Sequence, residues 1–189
     1  MKGKLALALV VGTLLVAAPR SFAESPLDGK WSMNCFSSGL FLESAEFASF
    51  TGTHETLQRV FYKDDCKTLG SVLTITGTIS IVPLSNSNLQ GINLKVDAAT
   101  LVSNDSSFIM LLNLGGVCGL HGWKVGEPRN VAGLNCNDQR VPQVGEVVYD
   151  IFRLKGDSLW FGDTSGGRDS TSEATRPINL NEQKTFIRR

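Results

Sequence analysis

Val72-Leu73-Thr74-Ile75-Thr76-Gly77-Thr78-Ile79-Ser80-Ile81-Val82 alternates without interruption between aliphatic and hydroxyl side chains. A period of two places Leu73, Ile75, Gly77, Ile79 and Ile81 on one side of an extended chain and the threonines and Ser80 on the other, so the stretch is a strand with one oily face. Beyond the turn-forming run Ser85-Asn86-Ser87-Asn88, the alternation resumes as Ile92, Leu94, Val96 and Ala98 against Asn93, Lys95 and Asp97. Two long alternating segments joined by turn chemistry predict an antiparallel hairpin within a meander.

Working outward, Leu57 to Tyr62 alternates more weakly. Glu146 to Leu154 and Leu159 to Gly162 flank the turn Lys155-Gly156-Asp157-Ser158 and read as a second hairpin. Gly29 to Cys35, Leu40 to Phe50 and Lys184 to Arg188 supply further strands. Eight to ten short strands at near-regular spacing call for a sheet that closes on itself or folds into a sandwich. One helix is expected over Asp105 to Asn113, with Asn104 as N-cap, Phe108, Leu111 and Leu112 on one face, and Gly115-Gly116 ending it. Gly162 to Arg176, rich in Gly, Ser, Thr and Asp, is expected to be a flexible loop at the rim or a mobile connection.

Residues 1–23 have the composition of a secretory signal peptide: Lys2 and Lys4, an apolar run from Leu5 to Ala18, then Ser21-Phe22-Ala23 as a cleavage site. The run is shorter than the roughly 20 residues that cross a bilayer, and no second such run follows, so no transmembrane segment is expected after cleavage. Residues 24–189 then form one domain of 166 residues, long enough to bury its own core. With Lys2, Lys4 and Arg20 removed, 15 basic residues face 18 acidic ones. That balance, without a basic cluster, excludes nucleic acid and anionic membrane surfaces as partners. A secreted or periplasmic location follows.

All four cysteines, Cys35, Cys66, Cys118 and Cys136, lie in the mature part, and an even number in an exported chain means two disulfides. Three pairings are possible. Cys35–Cys66 with Cys118–Cys136 is favoured, because each bond then closes the smaller local loop. The rival is a zinc site built from Cys118, His121 and Cys136, but its single C-x-x-H has no matching partner pair.

Catalytic candidates are sparse. Neither His54, beside Glu55, nor His121, between glycines near Trp123, sits in a nucleophile-elbow or H-E-x-x-H context. Both read as ordinary loop or strand histidines. Asp64-Asp65 before Cys66 reads as turn chemistry, and Gly115-Gly116 and Gly166-Gly167 lack the surroundings of a phosphate loop. The expectation is no catalytic residue, no metal and no cofactor. Trp123, inside the Cys118–Cys136 loop, is expected to pack on the disulfide and close one end of a β structure, or else to line a ligand mouth.

Leu27-Asp28-Gly29-Lys30-Trp31, Tyr62-x-Asp64-x-Cys66, Cys118-Gly119-x-x-x-Trp123, Tyr149-Asp150, Leu159-x-Phe161-Gly162 and Arg176-Pro177-x-x-Leu180 follow in this order. The succession resembles a loose group of bacterial exported proteins of unassigned function. It is similar, more distantly, to the lipocalin-like domain of the Wnt antagonist named for down-regulation by adenomatosis polyposis coli. The resemblance spans most of residues 27–187 and departs from lipocalins proper at Ser32, where their motif has an aromatic residue. It implies a mostly β domain: a single antiparallel up-and-down, lipocalin-like barrel with one short helix.

Such a barrel has room for its own side chains or for one small ligand. If Gly77 and Ala98 leave a gap among the inward aliphatics, the interior takes an apolar molecule or acyl chain, lined by Gly77, Ile79, Ile92 and Leu94 with Trp123 at the mouth. If the aliphatics meet, the barrel is solid and the protein is an interaction or inhibitor module acting through its rim.

Overall fold

The structure is a computed structural model that describes residues 25–37, 43–63, 66–84, 88–136 and 139–189. The proposed signal peptide at 1–23, the start of the strand expected from Leu40, the Asp64-Asp65 pair and the turn residues Ser85, Asn86 and Ser87 lie outside the described residues.

The alternating stretch becomes β5 (Leu69–Pro83), and the segment after the turn becomes β6 (Gln90–Val102). They pair antiparallel over most of their length. The other strands are β1 (Gly29–Met33), β2 (Phe36–Ser37), β3 (Glu43–Thr51), β4 (His54–Tyr62), β7 (Arg129–Asn130), β8 (Asn135–Cys136), β9 (Gln139–Arg140), β10 (Val147–Lys155), β11 (Ser158–Gly162) and β12 (Leu180–Arg188). Neighbours run β1-β12-β11-β10-β6-β5-β4-β3, and β3 pairs back onto β1. This is a closed, antiparallel, up-and-down barrel of eight strands. Closure removes the exposed edges that an open sheet of this length would present.

One irregularity decides which residues face inward. The β5–β6 register shifts between Thr76 and Gly77, so that Thr76 opposes Ala98 and Gly77 opposes Val96, with Asp97 as the extra residue. The bulge resets the parity of β6. Val96, Ala99 and Leu101 all point into the buried interior, and Ala98, expected inside, is exposed. Ile81 is also corrected: it lies beyond the end of the packed interior and is 38% exposed. Gly77 does not open a gap, because a Cβ there would fall 2.5 Å from Leu94 Cδ1 and closer still to the Lys95 carbonyl oxygen. Leu94 fills the space.

One end of the barrel is solid. Leu27, Trp31, Phe50, Phe152, Leu159 and Phe186 are each at most 2% exposed and form one cluster. Trp31 Nε1 donates to the Leu27 carbonyl at 2.8 Å, and the Arg188 guanidinium lies 4.2 Å from the Trp31 ring centroid. The other end is covered by the long β6–β10 connection. This carries α1 (Ser106–Leu114), a short 3-10 turn (Val117–Gly119) and the small β8–β9 hairpin. The N-cap of α1 is Asp105, one residue later than expected, and its carboxylate accepts from Phe108 N at 2.8 Å. Phe108, Ile109 and Leu112 are the buried face, whereas Leu111, expected among them, is 55% exposed. Lys63, at the end of β4, pairs with Asp105 at 2.7 Å, and with Ser107 holds that carboxyl well below its usual range.

Both disulfides form as the local pairing requires, Cys35–Cys66 and Cys118–Cys136. The first ties β2 to the β4–β5 turn; the second ties the 3-10 turn to β8. Oxidation of Cys118 and Cys136 removes the thiolates that a zinc site would need. The segment following Gly162, as far as Arg176, is irregular as expected, but instead of standing free at the rim it is fastened to the outer wall. Arg176, 7% exposed, donates to the carbonyl of Asp150 at 2.6 Å and to Asn93 Oδ1 at 2.7 Å, and lies over the Tyr149 ring.

Candidate functional site

Between the solid end and the α1 cap the lumen is hollow, in two lobes that meet along Glu46, Leu57 and Arg59. The larger, about 340 Å³, lies beneath α1 and is walled by Phe61, Leu73, Ile75, Leu101, Phe108 and Leu112 among others. The smaller, about 220 Å³, faces β10, β11 and β12. The larger volume falls within the range of small-molecule sites, roughly 300 to 1,000 Å³.

The strand pattern explains the lining. In β4, Glu55, Leu57, Arg59 and Phe61 share one parity, and Glu46 of β3 opposes Arg59. Charged side chains therefore take places that the alternation reserves for the interior. Arg59 meets Glu46 Oε1 at 2.7 Å, Lys184 from β12 meets the same oxygen at 3.1 Å, and Glu46 is only 9% exposed. Arg59 also donates to Gln139 Oε1 at 2.8 Å, linking the lumen to the cap. Arg140, at the rim of the larger lobe, forms a two-pronged pair with Glu146, with both N···O distances 2.8 Å. That pairing holds the Glu146 carboxyl below its ordinary range.

The smaller lobe carries two further carboxyls, Glu55 and Asp150. Asp150 Oδ1 accepts from the backbone of Ile151 at 2.7 Å and Gly162 at 3.1 Å. Gly162 has no side chain to spare, since a Cβ would collide with that oxygen and with Pro177. Burial raises Asp150 to about 6 despite these bonds. Burial, aided by the charge on Asp150, pushes Glu55 up to about 8.

The sequence-derived candidates divide. Ile92 and Leu94 line the smaller lobe. Ile79 is buried in the solid end, and Gly77 is closed off by Leu94, so neither borders a lobe. Trp123 is 3% exposed in a second cluster with Cys118 and donates through Nε1 to the Leu120 carbonyl at 3.2 Å; it packs in the cap and lines neither lobe. His54 and His121 are exposed and border neither lobe. Among the described residues, the one group of metal-type donors is Cys35, Glu43 and Cys66, and its two sulfurs are joined in a disulfide. The lumen residues that sequence reasoning missed are Glu46, Glu55, Arg59, Asp150 and Lys184. Their signal was a charge at inward parity within a strand.

The site thus defines a class, an eight-stranded antiparallel barrel with a partly hollow, charge-lined lumen. No family model matches this chain, and no curated protein matches it. No helix among the described residues is long and apolar enough to cross a membrane.

Proposed function

We propose that this protein is an exported, non-catalytic carrier of a small hydrophobic molecule or acyl chain, held without covalent attachment in the barrel lumen. The observation that carries the reading is the apolar lobe of about 340 Å³ beneath α1. A solid interior would have favoured the alternative, an interaction or inhibitor module. An empty apolar space costs stability, about 24 cal/mol per Å³ where side chains are removed to create it, and a bound apolar molecule restores the lost contacts. Two disulfides fit an oxidising compartment, secreted or periplasmic. The resemblance to exported barrels points the same way.

The test is mass spectrometry of an organic extract from the purified protein, followed by titration of the stripped protein with octanol. Recovery of a stoichiometric apolar compound, or saturable octanol binding, is the expected result. Leu73→Trp, which fills the larger lobe, should weaken that binding at least tenfold. An empty extract with no octanol uptake overturns the proposal.

A further inference from the structure

Among the described residues each cation bordering the lumen touches a carboxylate, with one carboxylate serving two of them. Arg59 and Lys184 share Glu46, and Arg140 is paired with Glu146. The group left over is an acceptor. Glu55, in the wall of the smaller lobe, is 6% exposed, and its carboxyl, reaching the lobe itself, has no hydrogen bond or ion pair among the described residues. A buried carboxyl without a partner is costly and uncommon. It faces Asp150 from β10, Glu46 from β3, Arg59 from its own strand and Lys184 from β12, with Arg176 behind the β10 wall. From β5, β6 and β11 it meets no charge: Gly77, Ile92, Leu94 and Phe161 stand there.

We infer that the smaller lobe binds a cationic head, a primary ammonium on a short apolar chain, with Glu55 as acceptor and Asp150 as the second negative group. The inference rests on the carrier reading and names the chemistry of its ligand. An anionic head would have to displace Glu46 from Arg59 and Lys184 and would meet the charge of Asp150. A divalent ion of the calcium type needs six or more oxygen ligands, and two carboxyls beside a lysine and an arginine do not supply them. The chain has Leu94, Val148 and Phe161 to lie against, and Leu57 leads onward into the apolar lobe.

The inference has a proton signature. With Glu55 held near 8, its carboxyl is mostly protonated at pH 7. An arriving ammonium favours the carboxylate, so Glu55 loses its proton to solvent as the ion pair forms. Binding should therefore release close to one proton and strengthen about fifty-fold from pH 6 to pH 8. An alkylammonium, like a lysine amine with pKa of about 10.4, stays charged across that range.

The experiment is calorimetric titration of the full chain with octylammonium chloride at pH 7, in two buffers of different ionisation heat. It is repeated at pH 6 and 8, with octanol and octanoate as comparisons. Octylammonium should bind at least tenfold more tightly than octanol and release a proton, and Glu55→Gln should abolish both the preference and the release. Equal or tighter binding of octanol or octanoate, with no proton released by octylammonium, overturns the inference while leaving the carrier reading intact. Binding of none of the three overturns both. If Glu55→Gln fails to fold, proton release and pH dependence of the unmodified protein still decide.

Discussion

The two ends of the barrel are made by the same eight strands, yet one is packed solid and the other is hollow. At the solid end, Trp31, Phe50, Phe152 and Phe186 converge with Leu27, and hydrogen bonds from Trp31 and Arg188 fasten the segment before β1 beneath them. Around the lobes, positions of the same inward parity carry Glu46, Glu55, Arg59 and Lys184, with Glu55 directly across from Phe50, and a separate insertion roofs the larger lobe. Beside the packed cluster, the lobes carry polar groups and empty volume that a core optimised for packing would exclude. Proteins commonly trade stability for function in this way.

Three measurements test the contrast. The largest effect belongs to the solid end: Trp31→Ala should cost about 3 to 5 kcal/mol in urea denaturation, the range for deleting a large buried aromatic ring. A loss below about 1 kcal/mol would mean that this end is not the anchor.

Next comes the pH dependence set at the hollow end. Because burial raises Glu55 from 4.5 in the unfolded chain to about 8 in the folded one, the folded state holds the proton more tightly. Its contribution to stability is complete below about pH 4.5 and is lost as pH rises toward 8. By pH 7 the loss is on the order of 3 kcal/mol. Asp150, raised to about 6, adds a smaller loss over the interval below that value. Glu55→Gln should flatten the stability profile between pH 5 and 8; an unchanged profile refutes the assignment.

The smallest effect is expected from Glu46→Gln. It leaves Arg59 and Lys184, each about one-third exposed, without their shared anion. Solvent screening limits the loss to about 1 to 2 kcal/mol. A loss as large as that of Trp31→Ala would place the anchor in the lumen and dissolve the distinction between the ends.

Much of the barrel was legible in the sequence, because β5 and β6 have one oily face over many residues, and periodicity is read most securely there. The inward set on β6 was misplaced past Val96, since the bulge at Asp97 adds a residue that no local pattern announces. Ala98 therefore went outside and Ala99 inside. β10 was legible as a strand, but its faces were not. Tyr149, on the outer side, is covered by the loop that Arg176 fastens, and its outward neighbour Ile151 is buried, so apolar residues occupy both sides and hide Asp150 among them. The charged lumen was the least legible part. Arg59 and Glu46 become interior partners only when β3 and β4 align, and a charge in a weakly alternating strand reads first as a solvated face. Trp123, named as a candidate at a ligand mouth, lies buried with Cys118 in the cap cluster, apart from the lining of both lobes.

The seam of the cylinder lies between β1 and β12, where Arg188 reaches the carbonyl of Asp28 across 160 residues of chain. Apart from the β6–β10 joint, which spans the long capping connection, the other joints link strands close in sequence that can assemble locally while the seam waits for β12. Contacts between chain ends carry the greatest loop-closure entropy. Loss of β12 would therefore leave an unzipped sheet with β1 and β11 as raw edges, the geometry that invites strand-to-strand association between molecules.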